Sequence, residues 1–295
     1  MDRIGKYVVH KVAVTSGYAR IFFCHDPDLM VPVAVKLFEP KRIEASPLSP
    51  AQWMSRFTVE ARALAAIDHP YVVGVKSLEH LEDGRPYFVM PFQAAHLAWE
   101  MGKDGADTDA PEHDRPRRLP FARAVMLLKQ LASGLNALHR RGMVHRALKP
   151  SNILLSAREN GVAKLCDFSM VKLPERNPPL PDHWIGATEY CAPEQRENAT
   201  GVGPQADIFS LGVLAYRMLT GTLPDLSSGP AHLEGQPAEL VELVRSATDP
   251  DPAARPAHGG AFAQALERVP AERARPPVQV LKVRKPAPRP VAATA

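Results

Sequence analysis

The residues best able to do chemistry fall in two short runs. His145-Arg146-Ala147-Leu148-Lys149-Pro150-Ser151-Asn152 gathers a histidine, two cations and an amide, and Asp167-Phe168-Ser169 adds a carboxylate downstream. At the centre of the first run stands Ala147, whose methyl can neither accept a proton nor orient a hydroxyl. Two further charged residues lie far upstream: Lys36 in Val33-Ala34-Val35-Lys36, and Glu60 in Phe57-Thr58-Val59-Glu60-Ala61-Arg62. A lone lysine on a strand, or a lone glutamate on a helix, is ordinarily a solvated surface charge. Order and spacing relative to the other runs give these two their weight.

The elements that must position them change character along the chain. Tyr7 to Val12, Ala19 to Cys24 and Val31 to Phe38 are β-branched or aromatic runs broken by turn residues, which predicts three strands. A helix is predicted from Pro50 to Ile67, with Phe57, Leu64 and Ile67 at helical intervals and Asp68-His69-Pro70 as its stop. Two more strands are predicted at Val72 to Leu78 and Tyr87 to Met90. Beyond Phe92, residues Gly102 to Arg118 are rich in Gly, Asp and Pro and read as a surface loop. Helix signals then recur at Phe121–His139, Pro204–Leu219, Pro237–Ala247 and Gly260–Val269. No internal repeat is present.

Composition bounds the class. The chain has 295 residues, 45% of them hydrophobic, enough for a substantial core. The three cysteines, Cys24, Cys166 and Cys191, form no CxxC pair or disulfide framework, which suits a reducing cytoplasm. No run approaches the roughly 20 apolar residues that span a bilayer, and the start lacks a signal-peptide core. The net charge of +4 is uneven: residues 271 to 295 hold six Lys or Arg against one acid, so the remainder is close to neutral. The Pro-rich basic tail, residues 270–295, reads as an extended, disordered segment able to meet an acidic partner or surface. The folded body lacks a basic helix with interleaved aromatics, so nucleic-acid binding is not expected of it.

In this order the runs resemble the signatures of protein kinases, in particular the bacterial Ser/Thr kinases of eukaryotic type, over residues 7 to 269. The resemblance implies an α+β, bilobal fold. A five-stranded N-lobe with one helix and the hinge start would cover residues 1–92, and a larger, mainly helical C-lobe residues 93–269. It implies ATP and Mg²⁺ as ligands, with Lys36 on the α and β phosphates, Glu60 as its partner, and Asn152 and Asp167 on the metal. The adenine pocket would comprise Ala34, the gatekeeper Met90, Leu154, the Pro91 carbonyl and the Gln93 N–H. Pro91 loses an N–H but keeps that carbonyl. Ala192-Pro193-Glu194 matches A-P-E with Arg255 as its ion-pair partner. Leu64, His145 and Phe168, anchored by Asp207, would form the packing column.

Four departures accompany the resemblance. Ala147 replaces the catalytic aspartate of H-R-D, beside a retained Lys149. The glycine loop G-x-G-x-x-G has become Val14-Thr15-Ser16-Gly17-Tyr18-Ala19, where Val14, Ser16 and Ala19 are expected to crowd the phosphates. Ala187 replaces the threonine that would bridge the aspartate and Lys149, and no Ser or Thr lies between Met170 and Ala187. Asp225 to Gln236 lacks the helix that usually helps dock protein substrates, and Ser169 replaces the glycine of D-F-G.

These departures imply a pseudokinase: a regulatory or scaffold protein that retains weakened ATP binding and acts through protein partners. The alternative is a Ser/Thr protein kinase of low activity, or one silenced by an engineered exchange at position 147. Loss of the threonine at 187 and the rewritten glycine loop favour natural divergence over engineering.

Overall fold

The computed structural model describes residues 2–40, 48–105, 109–174, 189–226 and 233–270. Its first part is an antiparallel sheet of β1 (Arg3–Ile4), β2 (Tyr7–Thr15), β3 (Ala19–Asp26), β4 (Val31–Phe38), β5 (Ser77–His80) and β6 (Pro86–Pro91), with helix α1 (Pro50–Ala65) between β4 and β5. The strand order is β1-β2-β3-β4-β6-β5. The sixth strand, beyond the five read from the sequence, is β1, folded back on β2 with Ile4 opposite Tyr7. Gly5 permits that turn: its φ is +54°, and a Cβ there would lie 2.1 Å from the Tyr87 hydroxyl.

Helix α1 starts where its sequence dictates. The Ser49 hydroxyl accepts from the Gln52 N–H while the Gln52 side chain accepts from the Ser49 N–H, a reciprocal cap, and Pro50 fills the first turn. One correction concerns Val72 to Leu78, where only Ser77–His80 is a strand. Val72 and Val73 are fully buried, and their backbone meets Leu165 through a single parallel bridge. β-branched residues packed in a core mimic a strand in the sequence without a ladder to join.

The second part is helical: β7 (Ala95–His96), α2 (Leu97–Met101), α3 (Phe121–His139), β8 (Ile153–Leu155), β9 (Ala163–Leu165), α4 (Pro193–Glu197), α5 (Pro204–Thr220), α6 (Ala238–Ala247) and α7 (Gly259–Leu266). β7, β8 and β9 form a small separate sheet. Every residue of α5 from Ala206 to Leu219 is buried, so this helix is the axis on which α3 and α6 pack. The larger apolar core runs from the inner face of the first sheet, through Phe57, Phe88 and Met90, into α3 and α5. A smaller core, including Phe22, Val35 and Tyr87, covers the outer face. Gly102 to Gly105 and the described residues 109–118 are non-helical, as the composition of that loop predicts. Ala187, residues 227–232 within Asp225 to Gln236, and residues 271–295 of the basic tail lie outside the described residues. Among the described residues no helix is long and apolar enough to cross a membrane.

Candidate active site

The site is built from both sides of a cleft. Ile21 of β3 faces Lys36 of β4 in register, and the lysine points inward to α1. Lys36 Nζ donates to both Glu60 oxygens at 2.7 Å and stands 3.9 Å from Asp167. Burial pushes the ammonium down and the Glu60 carboxyl up, but the two short contacts and the nearby Asp167 hold Lys36 well above the usual lysine range. At Glu60 burial outweighs the facing ammonium, and the carboxyl is raised to about 7. Asp167 adopts a left-handed backbone, φ 61°. Burial would raise its carboxyl, yet Lys36 and the Ser169 donors keep it below the ordinary carboxylate value.

The catalytic-loop run is braced from beneath. Asp207, fully buried on α5, accepts from the His145 and Arg146 N–H groups at 2.7 Å each and from His139 Nε2 at 2.9 Å. These three donors overcome the burial that would raise its carboxyl, which stays below the usual range. His145 Nε2 meets the Cys166 carbonyl, an acceptor only, so Nε2 carries the proton and Nδ1 accepts from the Ala147 N–H. The histidine is thereby a neutral strut. Its ring crosses Phe168 edge-on at a centroid distance of 4.9 Å, and Leu64 and Phe168 are both buried in the larger apolar core.

The loop then turns upward to the cleft. Ala147, Lys149 and Asn152 line a cavity of about 400 Å³ with Ser16, Tyr18 and Asp167. The Asn152 amide donates to the Ala147 carbonyl at 2.9 Å, which fixes its side-chain direction. At the position where the resemblance expects a carboxylate, the cavity wall is a methyl.

The residues expected to form an adenine pocket lie outside this cavity. Ala34 faces Met90 across β4 and β6, Met90 is nearly buried, and Leu154 is half-buried on β8. Gln93 Nε2 reaches the Pro91 carbonyl at 3.5 Å, while its Oε1 is buried without a partner. In the glycine-loop run, Val14 is 53% exposed and Ala19 is 1% exposed in the core, so neither crowds the cavity. The intruding residue is Tyr18, which the sequence reading passed over. An aromatic beside the loop's glycine, with Trp53 on the facing helix, was the available signal.

Two other groupings were also unforeseen. Arg56 of α1 and Arg146 are buried and donate to the successive carbonyls of Ser169 and Met170. Burial, then the neighbouring Arg56, pushes the Arg146 guanidinium down to about 9. Asp104, in the loop after α2, accepts from Arg217 Nε of α5 at 2.5 Å and from the Tyr190 hydroxyl at 2.7 Å, so that loop is strapped to the helical axis. The expected Glu194–Arg255 pair is present and two-pronged, at 2.7 and 3.0 Å.

A two-lobed fold with a buried lysine–glutamate pair, an aspartate facing it and a loop braced on a central helix defines a protein kinase domain. A sequence profile described as "Protein kinase domain" matches residues 15–264, and the chain belongs to that family. It is similar to the serine/threonine-protein kinase PknL of Mycobacterium bovis, 31% identical over 96% of this chain and 69% of that protein. It is also 31% identical, over 98% of its length, to the serine/threonine-protein kinase drp72 of Corynebacterium efficiens, of which it spans 56%. The PknI kinase domain of Mycobacterium tuberculosis shares the fold, with a TM-score of 0.65 at 19% identity, covering 90% of this chain and 96% of that one.

Proposed function

We propose that this chain binds ATP with Mg²⁺ in the cleft and is a Ser/Thr protein kinase whose phosphoryl transfer is slow. The carrying observation is the pairing of a complete Lys36–Glu60–Asp167 set with a methyl at position 147. The residues present fit the nucleotide. Gln93 Oε1 and the Pro91 carbonyl are acceptors at the hinge suited to a base amino group, and Lys36 suits a phosphate. Among the described residues no group of three or more His, Cys, Asp or Glu forms a ready metal cage. Asp167 and Asn152 would be the residues to hold Mg²⁺, which needs only one or two protein ligands beside a phosphate-bearing substrate. When bound, the metal neutralises charge developing on the transferred group.

This chain's own residues then divide the work. Lys36, held charged by Glu60, orients the phosphates. Lys149 faces the same cavity and can bind the transferred group. Nothing at 147 can accept the proton of an incoming hydroxyl. A positioned base contributes ~10²–10⁴-fold, and kinases turn over at roughly 1–100 s⁻¹, so transfer falls to between roughly 10⁻⁴ and 1 s⁻¹.

The second reading is a non-catalytic regulator or scaffold acting through protein partners. It is supported by Ala147 together with Ala187, since both members of one catalytic bridge are replaced. Thermal shift with millimolar ATP and Mg²⁺, followed by γ-phosphate transfer to a generic protein acceptor, separates the possibilities. A shift with slow labelling supports the proposal. A shift with no labelling favours the regulator, brisk labelling removes the claim of impairment, and no shift removes nucleotide from both readings.

A further inference from the structure

The turn between β2 and β3 carries an aromatic side chain into the cleft. Ser16 and Ala19 close the turn on each other: the Ser16 N–H and hydroxyl both reach the Ala19 carbonyl at 2.9 Å, and the Ala19 N–H donates to the Ser16 hydroxyl at 3.1 Å. The Tyr18 carbonyl accepts from the Glu39 N–H at 2.9 Å. With its backbone so fixed, the Tyr18 ring lies over Trp53 of α1, centroids 4.5 Å apart and planes within 9°. Its hydroxyl accepts from Lys36 Nζ at 3.3 Å.

A lysine ammonium has three donors. Glu60 engages Lys36 at two carboxylate oxygens, and Tyr18 is its remaining hydrogen-bonded side-chain partner among the described residues. Asp167 stands too far away, at 3.9 Å, for a hydrogen bond. The donor that an incoming phosphate would use is therefore already capped. The cap sits at the cavity that Gly17 and Tyr18 share with Ala147, Lys149 and Asn152.

We propose that Tyr18 is a built-in plug on the Lys36 anion site, and that a nucleoside triphosphate binds only after the Tyr18–Trp53 stack opens. This rests on the nucleotide-binding reading above and adds a competition to it. The plugged state costs affinity by the fraction of molecules that are open, since the apparent Kd is the intrinsic one divided by that fraction. A near-parallel aromatic stack with a charge-assisted hydrogen bond holds the open fraction to roughly one in ten or fewer.

The test measures ATP·Mg²⁺ binding by calorimetry to the full chain and to Tyr18→Ala, Tyr18→Phe and Trp53→Leu, each verified as folded by circular dichroism. Tyr18→Ala is expected to bind roughly tenfold tighter, and Tyr18→Phe, which keeps the stack but loses the hydroxyl, to fall between. Tryptophan emission of the nucleotide-free chain should change on Tyr18→Ala and not when the same exchange is made in a Trp53→Leu background. ATP should reproduce that change in the unaltered chain. Equal or weaker binding by Tyr18→Ala overturns the plug and leaves nucleotide binding intact. Binding by Tyr18→Ala alone supports both, and no binding by any variant overturns both.

Discussion

The loop from His145 to Asn152 has two faces, and they differ in what they do. Its underside is held to α5 by the His145 and Arg146 N–H groups on Asp207, which also accepts from His139 of α3, and His145 is fixed as a neutral strut between Cys166 and Ala147. Its upper face keeps Lys149 and Asn152 but presents a methyl at 147. The underside cannot change without leaving buried N–H groups unsatisfied, a cost to folding itself. The upper face is open to the cleft, so exchanging a carboxylate there alters chemistry and leaves the fold unharmed. A change on the underside is thus expected to cost stability first, and a change on the upper face to cost chemistry first.

The largest expected effect breaks that contrast from above. Ala147→Asp should raise the transfer rate by ~10²–10⁴-fold with little change in melting temperature, measured by γ-phosphate transfer beside a thermal scan. An unchanged rate would place the limiting defect elsewhere in the cleft. From below, Asp207→Ala should destabilise the fold by on the order of 4 kcal/mol, because three buried donors lose their acceptor. Denaturant titration reads this, and a loss under about 1 kcal/mol would show that water or a neighbour replaces the carboxylate.

Away from both faces, Gly5→Ala sharpens the comparison as a purely structural control. The new Cβ meets the Tyr87 hydroxyl and a left-handed φ, so a loss of roughly 1–3 kcal/mol is expected, with ATP binding unchanged. Loss of binding in a folded variant would show that the outer sheet edge is coupled to the cleft.

The smallest effect is in pH. Burial holds the His145 imidazole below its ordinary value of 6.5. Its folded-state value is the lower one, so its contribution is fully present above pH 6.5 and is lost as pH falls toward the folded value. Asp207 adds a second, more acidic window, present above its ordinary 3.8 and lost below it. Melting temperature followed from pH 7.5 to 5 should fall, and His145→Leu should flatten that slope. An equal slope in the variant would assign it to the other groups that titrate in this range, among them His69, His96 and Glu60.

Much of this was legible in the residues. Lys36, Glu60, Asn152 and Asp167 sit in short local patterns, and the helices of the second part announce themselves by apolar period, caps and stops. The column of His145 and Phe168, and the Glu194–Arg255 pair, followed from the same motifs. The misreadings have one origin. Val72 and Val73 looked like a strand because burial alone selects β-branched residues. Val14 and Ala19 looked obstructive because their direction from the backbone is not written in their identity.

The sequence by itself therefore determined which groups are chemically available: a lysine, a glutamate, an amide and a carboxylate in family order, and no acid at 147. Tertiary structure alone decided where they point. Tyr18 became an intruder on Lys36, Asp104 a strap between Arg217 and Tyr190, and Arg56 a neighbour of Arg146. Each of these contacts joins residues at least 18 positions apart. Such pairings depend on the relative placement of whole elements, which local periodicity and propensity do not encode.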